Sequence, residues 1–184
     1  LEKWEKDKNL IERAKTINEV YISDYGKKFE NKSLPPIDIT PRYLLIHTLS
    51  HALIRQLSLE CGYSTSSMKE RIYADSRNSN MAGFLIYTAT SDTDGTLGGL
   101  ARQASKIRFE KIFTKAIKNL NWCSSDPLCI TNTENVLEDY NLAACHSCLL
   151  VPETSCEEYN RFLDRAAIIG TPDSKCKGFI ESIK

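Results

Sequence analysis

Five of the chain's seven cysteines lie between Cys123 and Cys156, while Cys61 and Cys176 stand apart. A secreted disulfide scaffold would be shorter and would spread paired cysteines along its whole length. An odd number crowded into one segment points to metal instead. The tightest pair is Cys145-His146-Ser147-Cys148, a C-x-x-C turn that can aim two thiolates at one ion. Cys156 follows this pair and Cys129 precedes it, within Asp126-Pro127-Leu128-Cys129. The expected ligand set is therefore Cys129, Cys145, Cys148 and Cys156 around one structural Zn2+, with Cys123 and His146 as the alternatives to Cys129. Such a clip closes the Cys129–Cys145 loop and couples metal binding to folding. A redox C-x-x-C and inert buried thiols are the competing readings.

The remaining composition describes an ordinary globular chain. Its 184 residues are 41% hydrophobic and 26% charged, enough for one core or one core with a small appendage. The formal net charge is zero, which argues against a self-sufficient basic nucleic-acid binder but leaves room for a local patch. The most apolar stretch, Tyr43 to Leu59, is interrupted by His47, His51, Arg55 and Gln56, so no membrane span is expected. The chain starts at Leu1 with a charged segment and no signal-peptide pattern; it reads as a piece of a longer, cytoplasmic protein.

Periodicity predicts a helix over residues 1–22, then a linker from Gly26 to Pro36. A second helix starts at N-cap Thr40 with Pro41 in its first turn, carries one stripe of Leu45, Leu49, Ala52, Leu53 and Leu57, and closes at Gly62. Ser67 and Glu70 offer a capping box for a short helix. Gly83 to Ala89 reads as a buried strand that can pair with Arg71 to Ala74, and polar loops are expected over Asp75–Asn80 and Ser91–Gly99. A long helix is expected from about Leu100 to Leu120, and a last one from about Glu157 to Ile169, ended by Gly170-Thr171-Pro172. The fold class expected is α+β, mostly helical with a small β-sheet and a four-cysteine zinc-binding segment. The division expected is an N-terminal helix and linker over 1–36, a zinc-binding domain over 37–172 and a tail over 173–184.

Two further features bear on function. His47 and His51 stand one helical turn apart, a spacing used by zinc peptidases, but Thr48 occupies the place of their general base. Histidines bonded at a packing face are the favoured reading. The enzymatic rival is a nuclease or hydrolase that combines them with Asp92 or Asp94. Asp94 to Gly99 leads from a strand to a helix and could offer N–H groups to a phosphate, with Arg102 and Lys106 extending the patch; Gly95, Gly98, Gly99, Arg102 and Lys106 are thus the candidate nucleic-acid contacts, although a structural tight turn is the favoured reading of the glycine loop. The lysine of a Walker loop is missing there, so no ATPase activity is expected of this chain.

Several segments taken in order resemble the MrfA-like zinc-binding domain, MZB. They are Tyr87-Thr88-Ala89-Thr90 to Gly98-Gly99, Ala144-Cys145-His146-Ser147-Cys148-Leu149 and Leu163-Asp164-Arg165. His47 to Leu57, Cys123 to Cys129 and Pro152 to Glu157 are similar to the form of this domain found in the bacterial antiphage system DISARM. The resemblance covers about residues 40–170. It implies a four-cysteine zinc site, a non-catalytic scaffolding role, a partner helicase subunit of the DrmA type, and contact with DNA through the complex. A module that only docks proteins is the other non-enzymatic reading.

Overall fold

The structure is a computed structural model and describes residues 1–28, 35–74, 81–88, 99–132 and 136–183. In chain order the elements are α1 (Lys8–Lys28), α2 (Pro41–Cys61), β1 (Met68–Tyr73), β2 (Gly83–Thr88), α3 (Gly99–Gln103), α4 (Lys106–Leu120), α5 (Leu128–Thr131), α6 (Val136–Asp139), α7 (Ala166–Ile169) and α8 (Phe179–Ser182). This is the expected α+β class, with helices dominant and one small antiparallel sheet.

Helix α2 begins and ends as its sequence dictates. The Thr40 hydroxyl accepts from the Tyr43 N–H at 3.2 Å, Pro41 opens the first turn, and Gly62 closes it at φ 72°. The one-sided stripe expected of it is not what forms. Nearly every residue from Arg42 to Leu57 is buried, polar ones included, because α1, α4, α7 and the hairpin pack around it. Helix α1 lays Leu10, Ala14, Ile17 and Tyr21 on this core, and α4 adds Ile112, Ala116 and Leu120 at i, i+4, i+8 spacing. Residues 4–21 and 175–180 both reach this core, the second through Cys176 and through carbonyls of Lys175 and Lys177 that accept from Asn9 and Trp4.

Other expectations are corrected. Helix α1 runs six residues past its expected end, through Gly26 to Lys28. The supposed capping box of Ser67 and Glu70 starts no helix. Ser64 caps a 3-10 turn at Thr65–Ser67, and β1 begins at Met68, pairing Met68 with Thr88 through to Tyr73 with Gly83. Strand β2 is half exposed rather than buried, with Leu85 and Tyr87 facing outward, since a two-stranded sheet is covered on one face only. The helix expected over 100–120 is broken at Ala104 and Ser105, where Ser105 is extended.

The helix expected over 157–169 shrinks to α7. Tyr159, Asn160 and Phe162 all adopt positive φ, which no right-handed helix allows, and Phe162 drops into an aromatic cluster with Tyr21, Tyr43 and Tyr140. The loops expected over 75–80 and most of 91–99 lie outside the described residues.

Asp164 ties this arrangement together. Its carboxylate takes a bidentate pair from Arg13 at 2.7 and 2.9 Å and accepts the N–H groups of Ala143 and Ala166, while its own N–H donates to the Thr48 hydroxyl. Asp164→Ala strands a largely buried guanidinium and two backbone donors. Chemical denaturation should show a loss of about 3–5 kcal/mol, whereas replacing the exposed Asp173 should change little.

Candidate metal centre

Four thiols converge where α4, α5 and the C-x-x-C turn meet. Cys123 follows α4, Cys129 sits in α5, and Cys145 and Cys148 close the turn; their sulfur atoms all lie within 4.8 Å of one another. The Cys123–Cys145 separation is 3.3 Å, and those of Cys129–Cys148 and Cys145–Cys148 are both 3.7 Å. Sulfurs placed tetrahedrally about a zinc at roughly 2.3 Å stand about 3.8 Å apart, so the set has the size of a closed four-cysteine zinc site. A bound zinc would hold Cys123, Cys129, Cys145 and Cys148 as thiolates and would supply folding energy.

The surroundings suit such a cluster. Arg55 of α2 donates to the carbonyls of His146 (3.2 Å), Ser147 (2.8 Å) and Leu150 (2.8 Å), which pins the C-x-x-C turn. Cys123 Sγ accepts the Ser125 N–H at 3.4 Å. Asp126 accepts from the N–H groups of Cys123 and Ile130, and fully buried Arg165 bridges its carboxylate (2.5 Å) to the Leu120 carbonyl (2.9 Å). A zinc ion held by four thiolates carries a net negative charge, and Arg165 sets a fixed positive charge beside it. Among the thiols alone, the hydrogen bond from Cys129 outweighs burial and holds Cys148 down to about 5, while the same bond pushes Cys129 up.

The expected ligand set needs one correction. Cys129, Cys145 and Cys148 come together, but Cys156 is not with them; Cys123 stands in the fourth place, and exposed His146 is outside the cluster. Both Cys123 and Cys129 belong, although their spacing alone sets them against each other as rivals. Cys156 turns instead toward α2. Its sulfur lies 3.3 Å from His47 Nε2, which is 2.9 Å from Glu70 Oε1; His51 Nε2 is 3.2 Å from the same oxygen, and His51 Nδ1 is 3.1 Å from the Leu149 carbonyl. Burial works against charge on His47, but the Glu70 carboxylate and Cys156 overcome it and raise the imidazole to about 10. His47 Nδ1 and Glu70 Oε2 have no hydrogen-bond partner among the described residues.

Glu70 has no place in any site expected from the sequence. Its alternation with Met68 on the inward face of β1 is the signal that could have found it.

Asp92 and Asp94, the partners expected for a hydrolytic histidine site, lie outside the described residues, as do Gly95 and Gly98. Gly99 has a local reason to lack a side chain, because a Cβ there would collide with the Tyr63 hydroxyl. Arg102 and Lys106 are not brought into either cluster, and α4 continues the basic surface with Arg108, Lys111, Lys115 and Lys118 against the lone acid Glu110. The neutral total charge hides those later residues in the sequence. Among the described residues no helix is long and apolar enough to cross a membrane.

A small helical domain closed by a cluster of four cysteines is the class that this geometry defines, and the family model for the MrfA Zn-binding domain, MZB, matches residues 49–149. The chain belongs to that family. It is 36% identical, over its whole length, to the DISARM protein DrmB of Bacillus paralicheniformis; the chain spans 32% of that relative, about a third of its length.

The two cysteine environments differ enough to be separated by substitution. Cys123→Ser should melt the segment from Cys123 to Leu150 and raise its hydrogen-exchange rate by orders of magnitude. Cys61→Ser, half-exposed and outside both clusters, should leave exchange within error of the parent.

Proposed function

We propose that this chain is the structural zinc module of a DISARM-type antiphage protein. It holds a helicase subunit and meets DNA through the assembled cytoplasmic complex. The observation that carries this reading is the four-thiol cluster: all four ligand positions are filled by the protein, which leaves no open coordination site for a substrate. The similarity to a DISARM protein supports the defence context. The His47 and His51 rings are fully buried, which argues for a scaffold over the hydrolase alternative.

DNA contact rests on the cations of α3 and α4, Arg102, Lys106, Arg108, Lys111 and Lys118, gathered on a chain whose total charge is zero. They suit phosphates and carry no base preference. Docking of protein alone is favoured by a different feature. A groove of about 290 Å³ beside the cluster is lined by Arg55, Cys123 and Cys148 and by the strongly exposed Leu59 and Trp122.

A salt titration of DNA binding separates the two. It is performed on the full-length protein with its helicase partner, comparing wild type with the double variant Arg102→Ala/Lys106→Ala. Each phosphate that the variant no longer neutralises should flatten the slope of log K against log salt by about 0.9 on duplex DNA, with no loss of fold. Equal affinities and slopes would withdraw the DNA contact and leave docking. Cys145→Ser in the same assay should abolish capture of the helicase along with one zinc equivalent; capture that persists without that zinc would sink the scaffold reading.

A further inference from the structure

We propose that His47, His51, Glu70 and Cys156 form a second, structural zinc site, separate from the four-cysteine cluster. The four donor atoms lie within 4.8 Å of one another, and all four residues are buried. They come from three parts of the fold: one face of α2, the inward side of β1, and the turn after Ser155. Tetrahedral zinc with nitrogen and oxygen at about 2.0–2.1 Å sets those donors roughly 3.3–3.4 Å apart. The observed separations are 2.9 Å for His47–Glu70, 3.2 Å for His51–Glu70 and 3.3 Å for His47–Cys156.

The outer contacts are those of metal ligands. The Leu149 carbonyl can only accept, so His51 carries a proton on Nδ1, which leaves Nε2 as the ring atom that would ligate a metal. Cys156 Sγ accepts the N–H groups of Glu158 at 3.3 Å and Asn160 at 3.2 Å, an environment for a thiolate. Glu70 Oε1 faces both imidazoles, and its Oε2 is buried with no hydrogen-bond partner among the described residues, so the carboxylate keeps a charge that a cation would balance.

Charge decides between a cation and shared protons. Glu70 and Cys156 bring two negative charges into a site closed to water. With Cys156 as a thiolate, protons alone balance both charges by making the two imidazoles cationic, with ring centroids 4.7 Å apart. One divalent ion balances them with both rings neutral. The mixed nitrogen, sulfur and oxygen set, closed to solvent, selects zinc over the harder Mg2+ and Ca2+.

The test is zinc content per chain of the full-length protein, by elemental analysis, in wild type, Glu70→Gln, Cys156→Ser and Cys145→Ser. Glu70→Gln and Cys156→Ser should each lose one zinc equivalent and keep the metal of the four-cysteine cluster. Cys145→Ser reports on that other cluster, so failure of one site is distinguishable from failure of both. Folded variants of Glu70 and Cys156 with wild-type zinc content would overturn the proposal. Where neither variant folds, a zinc-edge anomalous difference map of zinc-saturated wild-type crystals decides. A peak between His47 and Cys156 upholds the site, and its absence removes it.

Discussion

A row of polar side chains on the buried face of α2 carries the C-terminal third of the chain. His47, His51 and Arg55 follow one another at one-turn intervals, with Thr48 beside them. Each reaches a different part of the irregular segment from 146 to 164: Arg55 takes the carbonyls around the C-x-x-C turn, His51 the Leu149 carbonyl, His47 the Cys156 sulfur, and Thr48 the N–H of Asp164. That segment has little regular secondary structure to satisfy its own backbone. Its polar groups are paired from outside, and a rigid central helix is what allows this. The result is that α2 positions both ligand clusters while contributing ligands to only one.

The adjacent pair Asp164-Arg165 distributes charge in opposite directions. Asp164 reaches toward α1 through Arg13, and Arg165 reaches toward the cysteine loop through Asp126 and the end of α4. Both side chains are buried, and each would be costly alone in such a place. Their partners come from segments more than a hundred residues apart, so the two pairs close the chain's N-terminal helix and its cysteine loop onto one point. Leu163 between Phe162 and Asp164 fills the core beside them.

The chain also presents surface that its own core does not use. Leu59, Ile107, Trp122 and Leu128 are large apolar side chains left mostly in solvent, and α4 turns its basic side outward. The relative that it matches is about three times as long as this chain. Leu59 and Trp122 line a groove against the four-thiol cluster, the kind of exposed apolar surface that a packing partner covers.

The sequence alone determined the elements whose signals are local. Thr40, Pro41 and Gly62 mark the bounds of α2 without any tertiary help, and the C-x-x-C at Cys145 and Cys148 announces a metal turn because two thiolates so close in sequence can share one ion. The pairing of Arg71 to Tyr73 with β2 was legible in their β-branched and aromatic residues, while Met68 to Glu70 was not. Only the tertiary structure decided which distant cysteine joined that turn. Cys156 is nearer in sequence than Cys123, yet its sulfur sits against His47 of α2 and accepts the N–H groups of Glu158 and Asn160, while the end of α4 delivers Cys123. Glu70 was hidden for the same reason: its capping-box spacing is a local signal, and the strand that overrides it owes its stability to a partner and to a helix face supplied by the fold. Spacing constrains groups that share a turn. Groups that meet across the core are chosen by packing, which no local pattern encodes.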